Sequence, residues 1–315
     1  MNLKDKRVLI TGGSGFLGRR IVTKCIERGA EVCNFRSSDF NLTVFDEVMD
    51  LMHFCPHIVI HSAAYYGGIM INKKQPAKIY IENMLMGTHL IEACVRHGVE
   101  KFVGVGTACS YPGHIEGELH EDDLWSGPCH ESVRCYGAVK KMMQIQCEAY
   151  KAQHGLNGVH LLLANLYGEW DSYNTERSHV VAALIRKFVE AKRNDDLTVM
   201  AWGTGSPIRE FLYVDDAAEG IVRVAESYDS TEPINIGTGI GTTIKELTAL
   251  VHEISGFEGE VVWDHNKPDG ATKKVFNVNR MVGVLKWAPE MLLTDGLEKT
   301  IRWFEKNYKE AIKRW

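Results

Sequence analysis

The sequence predicts an α/β protein, built on a doubly wound parallel sheet with a smaller C-terminal mixed α/β lobe for a substrate. Three observations lead there. Short, almost continuously apolar runs alternate with longer amphipathic stretches through the first half of the chain. Strands buried on both faces read this way, because helices cover both sides of a parallel sheet. A glycine-rich turn joins the first apolar run to the first helical stretch, and after about Tyr167 the alternation loosens into a less regular unit.

In chain order, "RVLITGG" reads as a strand and "GRRIVTKCIERGA" as a helix. "EVCNF" is a second strand, "HIVIHSAA" the next, and "NMLMGTHLIEACVRHGV" a helix leading into the strand "KFVGVGTA". The helix "GAVKKMMQIQCEAYKAQHG" precedes the strand "GVHLLLANLYG", and the polar, aromatic "GEWDSYNTERSH" reads as a loop over a site. "VVAALIRKFVEAKR" is then a helix, "GTGSPIREFLYVDDAAEGIVRVAESY" returns to strand and helix, and "WDHNKPDGATKKVFNVNRM" opens the small lobe. Residues 1–165 with a returning segment near 205–235 should form the nucleotide-binding domain, and 166–204 with 236–315 the substrate lobe.

Composition narrows the class. A chain of 315 residues that is 45% hydrophobic and 24% charged suits an ordinary globular protein with a sizeable core. A net charge of −5 offers no general attraction to nucleic acid, and no apolar run is long enough for a signal peptide or a membrane span. The eight cysteines are scattered, without a CxxC pair or metal-ligand spacing. The expectation is a cytoplasmic protein with free thiols, no metal and no membrane partner.

"VLITGGSGFLGRRIV" places Gly12, Gly15 and Gly18 between an apolar strand and a helix, with Phe16 and Leu17 completing the turn. Glycine there permits the tight turn, close backbone approach to a pyrophosphate and close helix–strand packing. The helix N-terminus offers unpaired N–H groups to the phosphates. Strand, turn and helix agree, which predicts a Rossmann-type dinucleotide site. A site preferring NAD usually ends its second strand with an acid for the ribose hydroxyls. "VCNFRSSDFN" instead has Arg36 there and no acid until Asp39, so a 2′-phosphate, and hence NADP(H), is expected.

"CYGAVKK" sets Tyr136 and Lys140 four apart, on one face of a helix. A neighbouring ammonium, together with a cofactor's positive nicotinamide ring, would lower the phenol's pKa and fit it for proton transfer. By itself such a pair is an ordinary helix surface. Thr107, at the end of the strand "KFVGVGT", could bond the same substrate oxygen that Tyr136 protonates.

"TGGSGFLG", "VIHSAA", Thr107 and "YGAVK" together resemble the extended short-chain dehydrogenase/reductase family. "GGIMINKKQPAKIYIENM", "ACSYP", "NLYG", "SHVVAALIRKF", "WGTGSPIREFLYVDD" and "KPDGATKK" narrow the likeness to its GDP-fucose-forming branch. That resemblance implies 3,5-epimerisation and 4-reduction of GDP-4-keto-6-deoxy-D-mannose with NADPH. It makes Tyr136 the proton donor, Lys140 the holder of the nicotinamide ribose, and Cys109 and His179 the proton-exchanging pair. A 4-ketone acidifies the hydrogens on carbons 3 and 5, and a thiol and an imidazole can both titrate near neutral pH. Taken alone, Cys109 reads as core filler and His179 as a loop or capping histidine.

The resemblance also maps substrate contacts onto Lys187, Trp202, Arg209 and Asp269. Cofactor contacts fall on Ala63, Ala64, Asn165 and His179, besides the glycine turn, Arg36, Tyr136 and Lys140. Asn83 would support the active-site strand. It implies a homodimer. Three departures stand out: Thr107 followed by Ala108 where serine and a hydroxyl residue are usual, Lys187 for an arginine, and "YYGG" and "YGEWDSY" for "KVGG" and "YGPHDNF". Tyr65, Tyr66, Glu169 and Trp170 are therefore expected to reshape the sugar pocket. Competing readings are a related GDP-sugar of colitose or deoxyheptose type, a 4-epimerase recycling bound NAD, and a non-catalytic nucleotide sensor. Arg36 opposes the second, and the retained Tyr136 and Lys140 oppose the third.

Overall fold

A computed structural model describes residues 1–267 and 269–313. The chain begins with β1 (Arg7–Thr11), α1 (Gly18–Glu27), β2 (Glu31–Asn34), α2 (Phe45–Leu51), β3 (Ile58–His61), α3 (Ile69–Lys74), α4 (Pro76–Arg96) and β4 (Lys101–Thr107). It continues through β5 (Glu118–Leu119), α5 (Arg134–His154), β6 (Asn157–Leu163), β7 (Asn165–Tyr167), α6 (Val180–Arg193), β8 (Thr198–Trp202), β9 (Ile208–Tyr213), α7 (Val214–Ser227) and β10 (Ile234–Ile236). The last elements are β11 (Gly241–Thr243), α8 (Ile244–Ser255), β12 (Glu260–Asp264), β13 (Lys273–Phe276), α9 (Asn279–Leu285), α10 (Leu293–Lys306) and α11 (Tyr308–Ala311).

Six parallel strands form the main sheet in the order β10-β6-β4-β3-β1-β2. Its central strands are apolar throughout because both faces are covered: Val8, Ile10, Ile58, Ile60 and Val103 belong to one core, and Leu9, Val59 and Phe102 to the core on the opposite face. This is the doubly wound α/β fold, with the strand order reversing beside β1. Ligands in such folds bind beyond the C-terminal strand ends, and here those ends carry Thr11, His61 and Thr107.

The second half of the chain divides itself between two bodies. Helix α7 packs on α1, and β10 completes the main sheet beside β6. Strand β9 instead joins a second sheet, β11-β9-β13-β5, with β7 also paired to β9, while β8 and β12 form a separate parallel pair. A third core, around Tyr173, Ile185, Phe188, Leu247 and Phe304, lies among α6, α8 and α10. Buried Glu210 fastens this region: its carboxylate accepts the N–H groups of Thr238, Gly239 and Phe276. Two segments distant in sequence, 238–239 and 276, are thereby tied to β9, next to Arg209.

All eight cysteines are free thiols. Among the described residues, no helix is long and apolar enough to cross a membrane.

Candidate active site

The dinucleotide cradle is built where β1 meets α1. Gly12 has φ +71°, and a Cβ there would lie 3.0 Å from the Ala63 backbone. The Gly15 N–H donates to the Gly12 carbonyl (2.8 Å), closing the turn. A Cβ on Gly18 would fall 1.9 Å from that same carbonyl oxygen, so only glycine fits. Phe16 is buried, and Leu17 packs against the main core just before the helix. No side chain caps α1 and no acid occupies its first turn, which leaves the N-terminal amides for an anion.

Three bonds bring the neighbouring strand end into place. Thr11 Oγ1 meets His61 Nδ1 (2.8 Å) and accepts the Ala63 N–H (3.2 Å), while Ser62 Oγ donates to the Thr11 carbonyl (2.6 Å). Ala63 and Ala64 therefore run beside the glycine turn. Arg36 is exposed just past the end of β2, and its backbone N–H donates to Asp39 (2.9 Å). Asp39 is thus folded onto its own turn. These features fit a dinucleotide, with a guanidinium where an additional phosphate would lie.

Thr107 ends β4, and its Oγ1 accepts the Cys109 N–H (3.3 Å), starting the helical turn 108–110. Helix α5 presses its first turn onto this one. At Gly137 a Cβ would stand 2.2 Å from the Cys109 carbonyl oxygen, so the glycine between Tyr136 and Lys140 sets the depth of approach. Lys140 is buried, donates to the Val105 carbonyl (3.0 Å), and is brought down to about 8 by loss of hydration. Tyr136 departs from the sequence-based expectation. Burial, followed by the neighbouring Cys109 and Tyr66, raises its pKa, and the Lys140 ammonium donates to the Val105 carbonyl. A raised pKa keeps the phenol loaded with its proton, which suits a donor.

His179 directly precedes α6; its carbonyl accepts the Ala183 N–H (2.9 Å), but its side chain makes no capping bond to the helix. One side of the ring opens to a cleft, while surrounding protein strips water from the rest and lowers its pKa, favouring neutral imidazole. It joins the rest of the site through Tyr66. The Tyr66 and His179 rings stack at 5.9 Å with 8° between their planes, and Tyr66 and Tyr136 stack at 6.5 Å. Asn83 does not support the active-site strand as expected. It accepts the Tyr65 N–H (3.0 Å) and donates to the Tyr65 and Ile79 carbonyls, fixing the loop after β3.

Asn165, His179, Trp202, Arg209 and Asp269 line one cleft of about 270 Å³. Asn165 donates to the Glu210 carbonyl (2.9 Å), which holds it between β7 and β9. Arg209 is partly dehydrated, which lowers its pKa, while the Cys109 thiol and Asp269 carboxylate act in the opposite sense. It lines the same cleft as His179 and Asp269. Asp269 accepts both the N–H (2.7 Å) and the hydroxyl (2.8 Å) of Thr204, which makes it a fastener of the cleft rim. Lys187 bonds the Met200 carbonyl (2.7 Å) and sits 5.1 Å above the Trp202 ring. Lys267, which the sequence did not single out, lies 5.3 Å from the same ring. No local spacing connects it to Trp202, so only the folded chain reveals it.

Glu169 and Trp170 occupy another place than the expected sugar pocket. Glu169 accepts from Arg20 (3.1 Å) and Tyr213 (2.7 Å), and Trp170 lies beneath the Arg19 guanidinium (3.9 Å) and against Trp303. Trp170 has φ +72°, a conformation costing a bulky residue on the order of 1–3 kcal/mol. Cation–π contact of about 0.5–2 kcal/mol and the Trp303 contact offset it. These two residues bind α1 to the C-terminal region.

A model of the NAD dependent epimerase/dehydratase family matches residues 8–237. GDP-L-fucose synthase 1 of Arabidopsis thaliana is 37% identical over 310 residues, covering 98% of this chain and 95% of that protein. The crystal structure of a GDP-L-fucose synthetase from Naegleria fowleri bound to NADP superposes with a TM-score of 0.90 at 25% identity, covering 98% of this chain and 96% of that one. A GDP-6-OMe-4-keto-L-xylo-heptose reductase from C. jejuni also superposes at 0.90, with 26% identity over 96% of this chain and 98% of that one.

Proposed function

The chain belongs to the NAD dependent epimerase/dehydratase family, and from that premise we propose that it converts GDP-4-keto-6-deoxy-D-mannose into GDP-L-fucose with NADPH. The observation that carries this reading is the grouping of Tyr136, Tyr66 and His179 in one aromatic stack, with the Cys109 turn pressed against the Tyr136 helix and Arg209 lining the same cleft as His179. Full-length similarity to a GDP-L-fucose synthase supports the same substrate.

The cofactor is NADP(H), held by the 12–18 turn, Ala63, Ala64 and Arg36, with Lys140 at the nicotinamide ribose. When bound, it supplies the hydride for carbon 4. Tyr136 gives its proton to the carbon-4 oxygen, and the Thr107 hydroxyl steadies that oxygen. Before reduction the 4-ketone makes the hydrogens on carbons 3 and 5 acidic. Neutral His179 takes a proton from one face, and the Cys109 thiol serves the opposite face. Arg209 and Lys187 neutralise the diphosphate, while Trp202, 55% exposed, gives a flat surface to the outer part of the ligand.

The protein acts as a homodimer in a reducing cytoplasm. Exposed Tyr80 and Ile81 on α4, with Ile145 on α5, support pairing through these adjacent helices. Light scattering at micromolar concentration tests this, and a monomer mass refutes it.

The activity is tested with purified protein, NADPH and GDP-4-keto-6-deoxymannose in heavy water. Loss of nicotinamide absorbance, with deuterium at carbons 3 and 5 of a fucose product, is expected. NADPH consumption without label reduces the protein to a 4-reductase. Cofactor binding without turnover overturns the substrate assignment.

A further inference from the structure

Tyr66 stands between the two groups that handle protons. Its ring is parallel to the His179 imidazole and also faces Tyr136. The loop holds it there from both sides. Asn83 clamps the N–H and carbonyl of Tyr65, and the Gly68 N–H donates to the Arg177 carbonyl (3.1 Å), two residues before His179. These bonds fix the backbone on either side of Tyr66, and the two stacking contacts keep its ring between His179 and Tyr136. Tyr66 is nevertheless 39% exposed, so part of the ring remains accessible to a ligand.

We propose that Tyr66 is the specificity-determining residue for the carbon-5 substituent, selecting a methyl group over a hydroxymethyl or longer chain. This rests on the reading of the site given above. With Tyr136 at the carbon-4 oxygen and His179 at a carbon beside it, a ring between them borders the substituents flanking carbon 4. Carbon 3 carries a hydroxyl, which requires hydrogen-bonding partners. Carbon 5 carries the methyl, the one apolar substituent of the pair, and a phenol face is its natural complement. A hydroxymethyl pressed on that face would lose water without regaining its bonds. A longer chain would also collide with the ring, which its neighbours keep in place.

The experiment compares two GDP-4-keto sugars, one with a methyl and one with a hydroxymethyl on carbon 5. The wild type, Tyr66→Val and Tyr66→Phe are assayed for kcat/KM with NADPH, and cofactor affinity by fluorescence serves as the folding control. The wild type should favour the methyl sugar roughly tenfold or more, in the range set by small groups in apolar pockets. Tyr66→Val should compress that preference at least fivefold, and Tyr66→Phe, which retains the ring, should keep it. If both variants lose the preference together, the hydroxyl rather than the ring discriminates and the inference is overturned. If the wild type turns over the methyl sugar but Tyr66→Val leaves the ratio unchanged, the inference fails while the proposed reaction stands. A wild type that turns over neither sugar, or favours the hydroxymethyl one, removes the proposed function and the inference with it.

Discussion

Replacing Gly137 with alanine sets two physical effects against each other. Helix propensity favours alanine over glycine by up to about 1 kcal/mol, so the isolated helix gains. In the fold, the new methyl would stand 2.2 Å from the Cys109 carbonyl oxygen, 2.9 Å from its carbon and 3.1 Å from the Cys129 sulfur. Ordinary contacts are about 3.5 Å, so relief requires roughly 1 Å of movement between α5 and the 108–110 turn. Two of these three neighbours are backbone atoms, which cannot rotate aside. Overpacking of this kind typically costs about 1–3 kcal/mol, and the steric effect wins. The same movement carries Tyr136 and Lys140 away from Thr107 and Cys109, and about 1 Å of misplacement can cost on the order of 100-fold in rate. NADPH oxidation with the 4-keto sugar should therefore drop about 100-fold, with a net loss of about 1–2 kcal/mol in urea unfolding. The glycine turn and Arg36 lie elsewhere, so any loss of cofactor affinity should be confined to the displaced Lys140 contact. A variant at least as stable as wild type, with activity within threefold, would refute the reasoning about this contact.

Other substitutions probe separate parts of the site. Arg36→Ala should weaken NADPH binding about tenfold while leaving NADH nearly unaffected, as fluorescence titration with both cofactors would show; equal losses would remove Arg36 from the 2′-phosphate. In Cys109→Ser, deuterium exchange into the sugar should fall by about 100-fold or more, whereas reduction of a pre-epimerised 4-keto sugar should survive. With Lys140 at about 8, the ammonium is lost as pH rises through that value, so kcat/KM for NADPH should decline above pH 8. Lys140→Arg should move that decline to higher pH, and an unchanged profile would exclude Lys140 as its source. Asn83→Ala removes a buried side chain with three hydrogen bonds to backbone and should cost about 2–4 kcal/mol in denaturant unfolding, in addition to loosening the Tyr66 loop.

Short-range information was legible in the sequence. The glycine turn, the continuous apolar strands and the four-residue step from Tyr136 to Lys140 each follow from local geometry, and the fold places them where that geometry requires. Resemblance supplied the identities of Cys109 and His179, which periodicity alone would have left as a core thiol and a loop histidine. Motif spacing reveals the lysine one turn from Tyr136 but neither its hydrogen bond to Val105 nor the extent of the phenol's burial.

What the sequence by itself determined is the parallel α/β architecture, the dinucleotide turn and the chemical types at the strand ends, all legible in patterns a few residues long. Tertiary structure alone decided that Tyr66 bridges Tyr136 and His179, that Lys267 shares Trp202 with Lys187, and that Glu169 and Trp170 grip α1. The physical reason is sequence separation. These contacts join segments that meet only after the sheets have packed, and no local pattern of hydrophobicity or charge encodes which surfaces will face each other.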